Sequence, residues 1–135
     1  MASSIIGGLV ESGQPAASIS AADPFPASLE RLANIAPVRL CSDNAEAVAG
    51  ADVVILAVKP QVMAEAAESI AREVQASGAL VISIAAGITI ESMQARLGAD
   101  TAIVRCMPNT PALLGSGASA LYANDRVSAT QRAYA

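Results

Sequence analysis

Five short segments carry the side chains and backbone that chemistry would need, and each ends or follows an apolar run. They are Asp23-Pro24 after SISAA, Ser42-Asp43-Asn44 after VRLC, Ala57-Val58-Lys59-Pro60 closing DVVILAV, Ala85-Ala86-Gly87 closing LVISIA, and Met107-Pro108-Asn109-Thr110-Pro111 closing TAIVRCM. Small residues dominate this set. That suits a planar ligand held by peptide groups and suits a buried acid or base poorly. There is no histidine in the chain, so Ser-His-Asp and Cys-His catalysis and the usual Cys/His zinc sites are excluded. Cys41 and Cys106 lack Cys-x-x-Cys spacing and read as buried small hydrophobes of a reducing compartment.

The runs that must position these segments alternate in period. Ala2 to Glu11 has Ile5, Ile6, Leu9 and Val10 at helical spacing, with Gly13 as a stop. Ser18 to Ala22 reads as a strand, Pro26 to Ile35 as an amphipathic helix on Leu29, Leu32 and Ile35, Val38 to Cys41 as a strand, and Asn44 to Gly50 as a short helix begun by Ser42, Asp43 or Asn44. Asp52 to Val58 is apolar without alternation, the pattern of a strand buried on both faces of a parallel sheet. Pro60 opens a helix to Val74, Leu80 to Ala85 is a strand, Thr89 to Leu97 a helix stopped by Gly98, and Thr101 to Met107 a strand. Ala118 to Ala123 is a last strand and Val127 to Ala135 the start of a helix. Such alternation with short connections predicts an α/β fold: a Rossmann-like, doubly wound, mostly parallel sheet with helices on both faces. In that architecture ligands bind beyond the carboxyl ends of the strands, where the five segments fall.

Composition narrows the partners. The 135 residues are 53% hydrophobic with net charge -4, which excludes disorder as a description of the whole. Three aromatics (Phe25, Tyr122, Tyr134) and one lysine, Lys59, argue against a single-stranded nucleic-acid binder. The acidic balance disfavours anionic polymers and membrane surfaces. The amino-terminal MASSIIGGLVESG has no basic region and its apolar run is short, so neither signal peptide nor membrane span is expected, and a cytoplasmic location is.

Each candidate has a plain structural role beside the functional one. Asp23 closes a turn, or faces an adenine ribose as the acid ending a dinucleotide-fold strand. Asn44 caps a helix, contacts a ligand, or does both. Lys59 is solvated, or meets a phosphate or ribose. Gly87 supplies a positive φ, or admits a ligand where a side chain would block it. Asn109, between two prolines, sits in a stiff polar loop suited to substrate contact. Glu65, Glu68 and Glu91 lie on exposed helical faces and read as solvated.

Four stretches together carry a resemblance: MASSIIGGLVESG, DNAEAVAGADVVILAVKPQVM, VISIAAGITI and IVRCMPNTPALLGSGASALYAN. With AVKP, SIAAG and RCMPNTP in this order and spacing, essentially the whole chain resembles the amino-terminal half of pyrroline-5-carboxylate reductases. That resemblance implies reduction of the cyclic imine 1-pyrroline-5-carboxylate to proline, by direct hydride transfer from NADP or NAD in its reduced form, with NADPH favoured. It implies no catalytic acid or base in this half, and no metal. Cofactor contacts carried over by position fall on Asp23, Asn44, Ala57, Val58, Lys59, Pro60, Ile84, Ala85, Ala86 and Gly87. Met107, Pro108 and Asn109 face the nicotinamide and the imine. Asp23 would repel a 2′-phosphate, which leaves NAD against NADP open.

Two departures from the family pattern shape the expectations. The family opens with a strand and a glycine-rich Phe-Ile-Gly-x-Gly-Asn turn before Met-Ala, and here Met1-Ala2 falls at that Met-Ala. The expected sheet is therefore incomplete, lacking the family's first strand, and SISAA and DVVILAV each lack a neighbour. The family also continues into a helical domain for dimerisation and substrate binding. The expected organisation is a dinucleotide-binding unit over residues 1–124 and the start of a connecting helix over 125–135, inactive as a reductase when alone. A non-catalytic nucleotide-binding module and an oxidoreductase of the F420-dependent NADP reductase type are the alternatives.

Overall fold

The computed structural model describes residues 2–108 and 119–135. Helix α1 (Ala2–Glu11) sets Ile6 and Val10, one turn apart, onto a small apolar cluster of Leu32, Ala36 and Val38. Strands β1 (Ser20–Ala22) and β2 (Arg39–Cys41) flank α2 (Pro26–Ala33) and pair in parallel, Ala21 opposite Leu40. The proline opening α2 fits because its missing N–H has no partner in a first turn. Helix α3 (Asn44–Val48) then packs on both strands.

A second sheet runs in the order β3 (Val53–Leu56), β4 (Leu80–Ser83), β5 (Ile103–Pro108), β6 (Ser119–Ala123). Its first three strands are parallel, and β6 returns antiparallel to β5. On one face α4 (Met63–Ser77) and α5 (Ile90–Leu97) bring Ile70, Val74, Met93 and Leu97 onto Val54, Leu56, Val81 and Ile103. The opposite face carries the smaller cluster of Leu80, Ala102 and Val104. Leu80 and Val81 point to opposite faces of β4 and both are 0% exposed, as an unbroken apolar run requires of a two-sided strand. Full burial of one such side chain stabilises by about 1.5–3 kcal/mol.

The predicted α/β alternation holds, and the order of elements is as read from the periodicity. The strands are shorter than their apolar runs. Residues Ala16–Ser18 form a 3-10 turn before β1, α2 stops at Ala33, and α3 stops at Val48. Leu56 and Ser83 are register partners, and β3 and β4 both end there. Ala57 and Val58 and likewise Ile84 and Ala85 therefore leave the ladder, apart from an Ile84 N–H donated to the Leu56 carbonyl at 3.2 Å. The sheet is in two pieces as expected: among the described residues β1 pairs only with β2, and β3 only with β4. Cys41 is buried, whereas Cys106 is only half-buried, a correction to the sequence reading. Cys106 alternates on β5 with Arg105 and so faces the thinly covered side, opposite Leu121, which is 55% exposed.

Candidate functional site

Within each sheet the parallel strands aim their carboxyl ends the same way, and the segments that follow β1 to β4 leave from those ends as the strand-end rim. After β1, half-buried Asp23 accepts the Phe25 N–H through Oδ1 at 2.8 Å, so its turn-closing role is filled. Phe25, whose backbone closes that turn, is 68% exposed. After β2, Asp43 holds the N-cap position of α3, with no capping bond from its side chain. The capping role considered for Asn44 is thus corrected: Asn44 is the first helical residue. Its Nδ2 donates to Ser69 Oγ on α4 at 3.1 Å, and the Ser69 hydroxyl donates to the Ala66 carbonyl at 2.6 Å.

After β3, Val58 packs on the core while Ala57, Lys59 and Pro60 are exposed. Lys59 is extended (φ -64°, ψ 145°) and its carbonyl accepts from Val62 N–H at 3.1 Å, starting the turn Pro60–Val62 that leads into α4. After β4, Ile84 is half-buried and Ala85 lies buried beneath the loop, its N–H on Ser83 Oγ at 3.3 Å. Ala86 and Gly87 are exposed. Gly87 has φ +75°, and a Cβ there would meet nothing within 4 Å. Backbone conformation, not a crowding protein neighbour, therefore calls for glycine here. Met107, 42% exposed, ends β5 with Pro108, and Asn109 lies outside the described residues.

The structure adds three residues to those singled out from sequence. Phe25 supplies an exposed aromatic face at the β1 end, and Ser69 holds the Asn44 amide. Arg105 is the third. Leu56, Ser83, Arg105 and Tyr122 stand in register across the four strands, on the face covered by α4 and α5. Arg105 Nε is buried with no hydrogen-bond partner among the described residues. A charge inside TAIVRCM was the available signal. The exposed glutamates stay out of this site: Glu68 pairs with Arg96, and Glu65 and Glu91 are solvated, as expected. Such exposed pairs contribute about 0–1 kcal/mol.

The rim suits an elongated ligand. The segments offer exposed residues Ala57, Lys59, Pro60, Ala86 and Gly87 after β3 and β4, half-buried Asp23 and exposed Phe25 after β1, and Met107 on β5. Open space above Gly87 leaves room for close approach. Among the described residues no group of His, Cys, Asp and Glu is arranged to hold a metal ion. No helix among them is long and apolar enough to cross a membrane.

Known proteins resemble this chain along nearly its whole length. The family described as NADP oxidoreductase, coenzyme F420-dependent, matches residues 1–87. The pyrroline-5-carboxylate reductase of Pseudomonas aeruginosa is 50% identical over 131 residues, covering 97% of this chain and 48% of that protein. The structure of a pyrroline-5-carboxylate reductase from Coxiella burnetii superposes with TM-score 0.95 at 33% identity, over 98% of this chain and 49% of the other. The Plasmodium falciparum pyrroline carboxylate reductase with NADP bound superposes with TM-score 0.83 at 26% identity, over 98% and 47%. The chain spans about half the length of the curated relatives it matches.

Proposed function

Since the chain belongs to the NADP oxidoreductase, coenzyme F420-dependent family and corresponds along its length to the amino-terminal half of pyrroline-5-carboxylate reductases, we propose that it forms the cofactor-binding part of such a reductase. The reaction is reduction of 1-pyrroline-5-carboxylate to proline, with NADP or NAD as the nicotinamide cofactor. The observation that carries this reading is the 50% identity to the Pseudomonas aeruginosa reductase over 97% of this chain. When bound, the reduced nicotinamide would supply a hydride to the imine carbon, the imine nitrogen taking its proton from water. The chain's own residues bind and orient: Asp23 and Asn44 at the adenosine end, Ala57 to Pro60 along the middle, and Ile84 to Gly87 over the neighbouring strand. Ala85 forms the floor there. Met107, Pro108 and Asn109 complete the nicotinamide and imine end. Residues 1–124 make the dinucleotide-binding unit in this proposal, and 125–135 begin the helix that leads toward the family's helical dimerisation domain.

Direct transfer needs proximity and alignment more than a protein acid, which fits a rim without histidine. The test is to mix the natural protein carrying this sequence with the imine and reduced nicotinamide. Loss of nicotinamide fluorescence matched by proline formation is the expected result. Binding of the dinucleotide without turnover would instead identify a non-catalytic nucleotide-binding module.

A further inference from the structure

Helix α6 (Ala129–Tyr134) leaves the sheet without a packed face. None of its residues is buried, and Gln131 is the single one that is half-buried. The chain before it is held firmly: Asn124 bonds to both Thr101 and Ile103, and Val127 packs on Leu80, Ala102 and Val104. Between Val127 and α6 stands Ser128, an extended N-cap (φ -73°, ψ 166°) and so a pivot. So short a helix is not held in water by its backbone bonds alone. Apolar packing therefore does not set the direction of α6.

A single side-chain amide does so instead. Gln131 Oε1 accepts the Ser128 N–H at 3.1 Å and Ser128 Oγ accepts the Gln131 N–H at 3.1 Å, a reciprocal cap on the first turn. Nε2 of the same amide donates to the Gly78 carbonyl at 3.1 Å, across 53 positions of sequence. Gly78 is itself fixed: it ends α4 in the left-handed conformation (φ +67°) with its N–H on the Val74 carbonyl at 2.9 Å, just before β4 begins. The amide thus has one end on the pivot and the other on the junction of α4 with β4. The other tie nearby, Arg126 with Asp100 at 3.2 Å, is a surface pair with the Asp100 side chain 88% exposed, and such pairs contribute little.

We infer that Gln131 is a positioning residue: its amide latches α6 to the Gly78 carbonyl and sets the direction in which the chain leaves the cofactor-binding unit. This rests on the reading of residues 125–135 as the start of the helix connecting to the other half of a reductase. A helix of about 20 residues spans about 30 Å, so a tilt of about 10° at its base moves its far end by about 5 Å. Hydride transfer between a dinucleotide on one half and an imine held with the other tolerates far less, since about 1 Å of misplacement costs up to about 100-fold.

Two substitutions separate the latch from the cap. Gln131→Glu keeps an oxygen for the Ser128 N–H but has no donor for the Gly78 carbonyl. Gln131→Lys keeps a donor and gives up the cap. The experiment measures hydrogen exchange of the Arg132 to Tyr134 amides, imine-reduction kinetics and dinucleotide binding in the natural protein and in each variant. Gln131→Glu should speed exchange there by about two- to tenfold, the contribution of one hydrogen bond, with the Val81 and Ile82 amides unchanged. It should also lower kcat severalfold while the dinucleotide Kd holds, and Gln131→Lys should keep kcat near that of the unsubstituted protein. A purely structural cap would give the reverse order, with Gln131→Lys the more damaged of the two. Unchanged exchange in Gln131→Glu would overturn the latch, and faster exchange with kcat unmoved would overturn its positioning role. Faster exchange in Gln131→Glu, when the unsubstituted protein binds dinucleotide but reduces no imine, would sustain the latch and sink the proposed activity.

Discussion

A methyl group added at Gly87 would enter empty space and still be costly, because the backbone there has φ +75°. Left-handed conformation disfavours an L-residue by roughly 1–2 kcal/mol, so Gly87→Ala should lower the unfolding free energy by about that amount in a denaturant titration. Gly98 is a different case: at φ +120° its added Cβ would also lie 2.9 Å from Gln75 Nε2. Several residues of the proposed site were legible in the sequence because position alone marks them. Asp23 and Asn44 follow strands, and Gly87 follows a buried one. Ser69 was not legible. Its hydroxyl sits on an exposed stretch of helix, and its partner is 25 residues away in sequence, so only the packing of α3 against α4 reveals the contact. Phe25 was likewise visible only as one aromatic among three until the turn at Asp23 was seen to hold it outward.

At the scale of elements, the identity of each helix and strand was readable from period while the ends were not. Apolar content says that a run is buried, and it does not say where a neighbour stops pairing with it. DVVILAV is apolar to Val58, yet the ladder closes at the Leu56 and Ser83 level and frees the next residues for the rim. The helices that cover this sheet carry its stability. Met93 on α5 is 1% exposed and lies in the cluster with Ile70 and Val81. Met93→Ala should therefore cost about 2–5 kcal/mol. Leu121→Ala, at a position 55% exposed on β6, should stay within about 0.5 kcal/mol. A pair of denaturant midpoints checks both, and comparable losses at the two positions would contradict the burial assignment.

Among the described residues the molecule has two sheets and separate apolar clusters, a large one on one face of β3 to β5, a smaller one on the other face, and one under β1 and β2. Protection from exchange follows the depth and connectivity of such cores. Amides of Val81 and Ile82 in β4, a strand bonded on both sides, should exchange slowest in native-state hydrogen-exchange measurements. Those of Ala21 and Leu40, in three-residue strands, should exchange much sooner. Uniform protection across both sheets would show a single cooperative unit. The fold class followed from alternation of period, while the division into two sheets among the described residues was legible only through the family pattern, since local propensity does not say which strand lies beside which.

The antiparallel return of β6 gives the molecule two poles. Chain leaving β5 at the rim travels back down β6, and Asn124 there accepts the Ile103 N–H through Oδ1 and donates to the Thr101 carbonyl. Helix α6 (Ala129–Tyr134) is then fastened at the far end of the sheet, where Gln131 donates to the Gly78 carbonyl just before β4. A tether placed on α6 beside Gln131 would accordingly hold the protein at the pole opposite the carboxyl ends of β3 and β4.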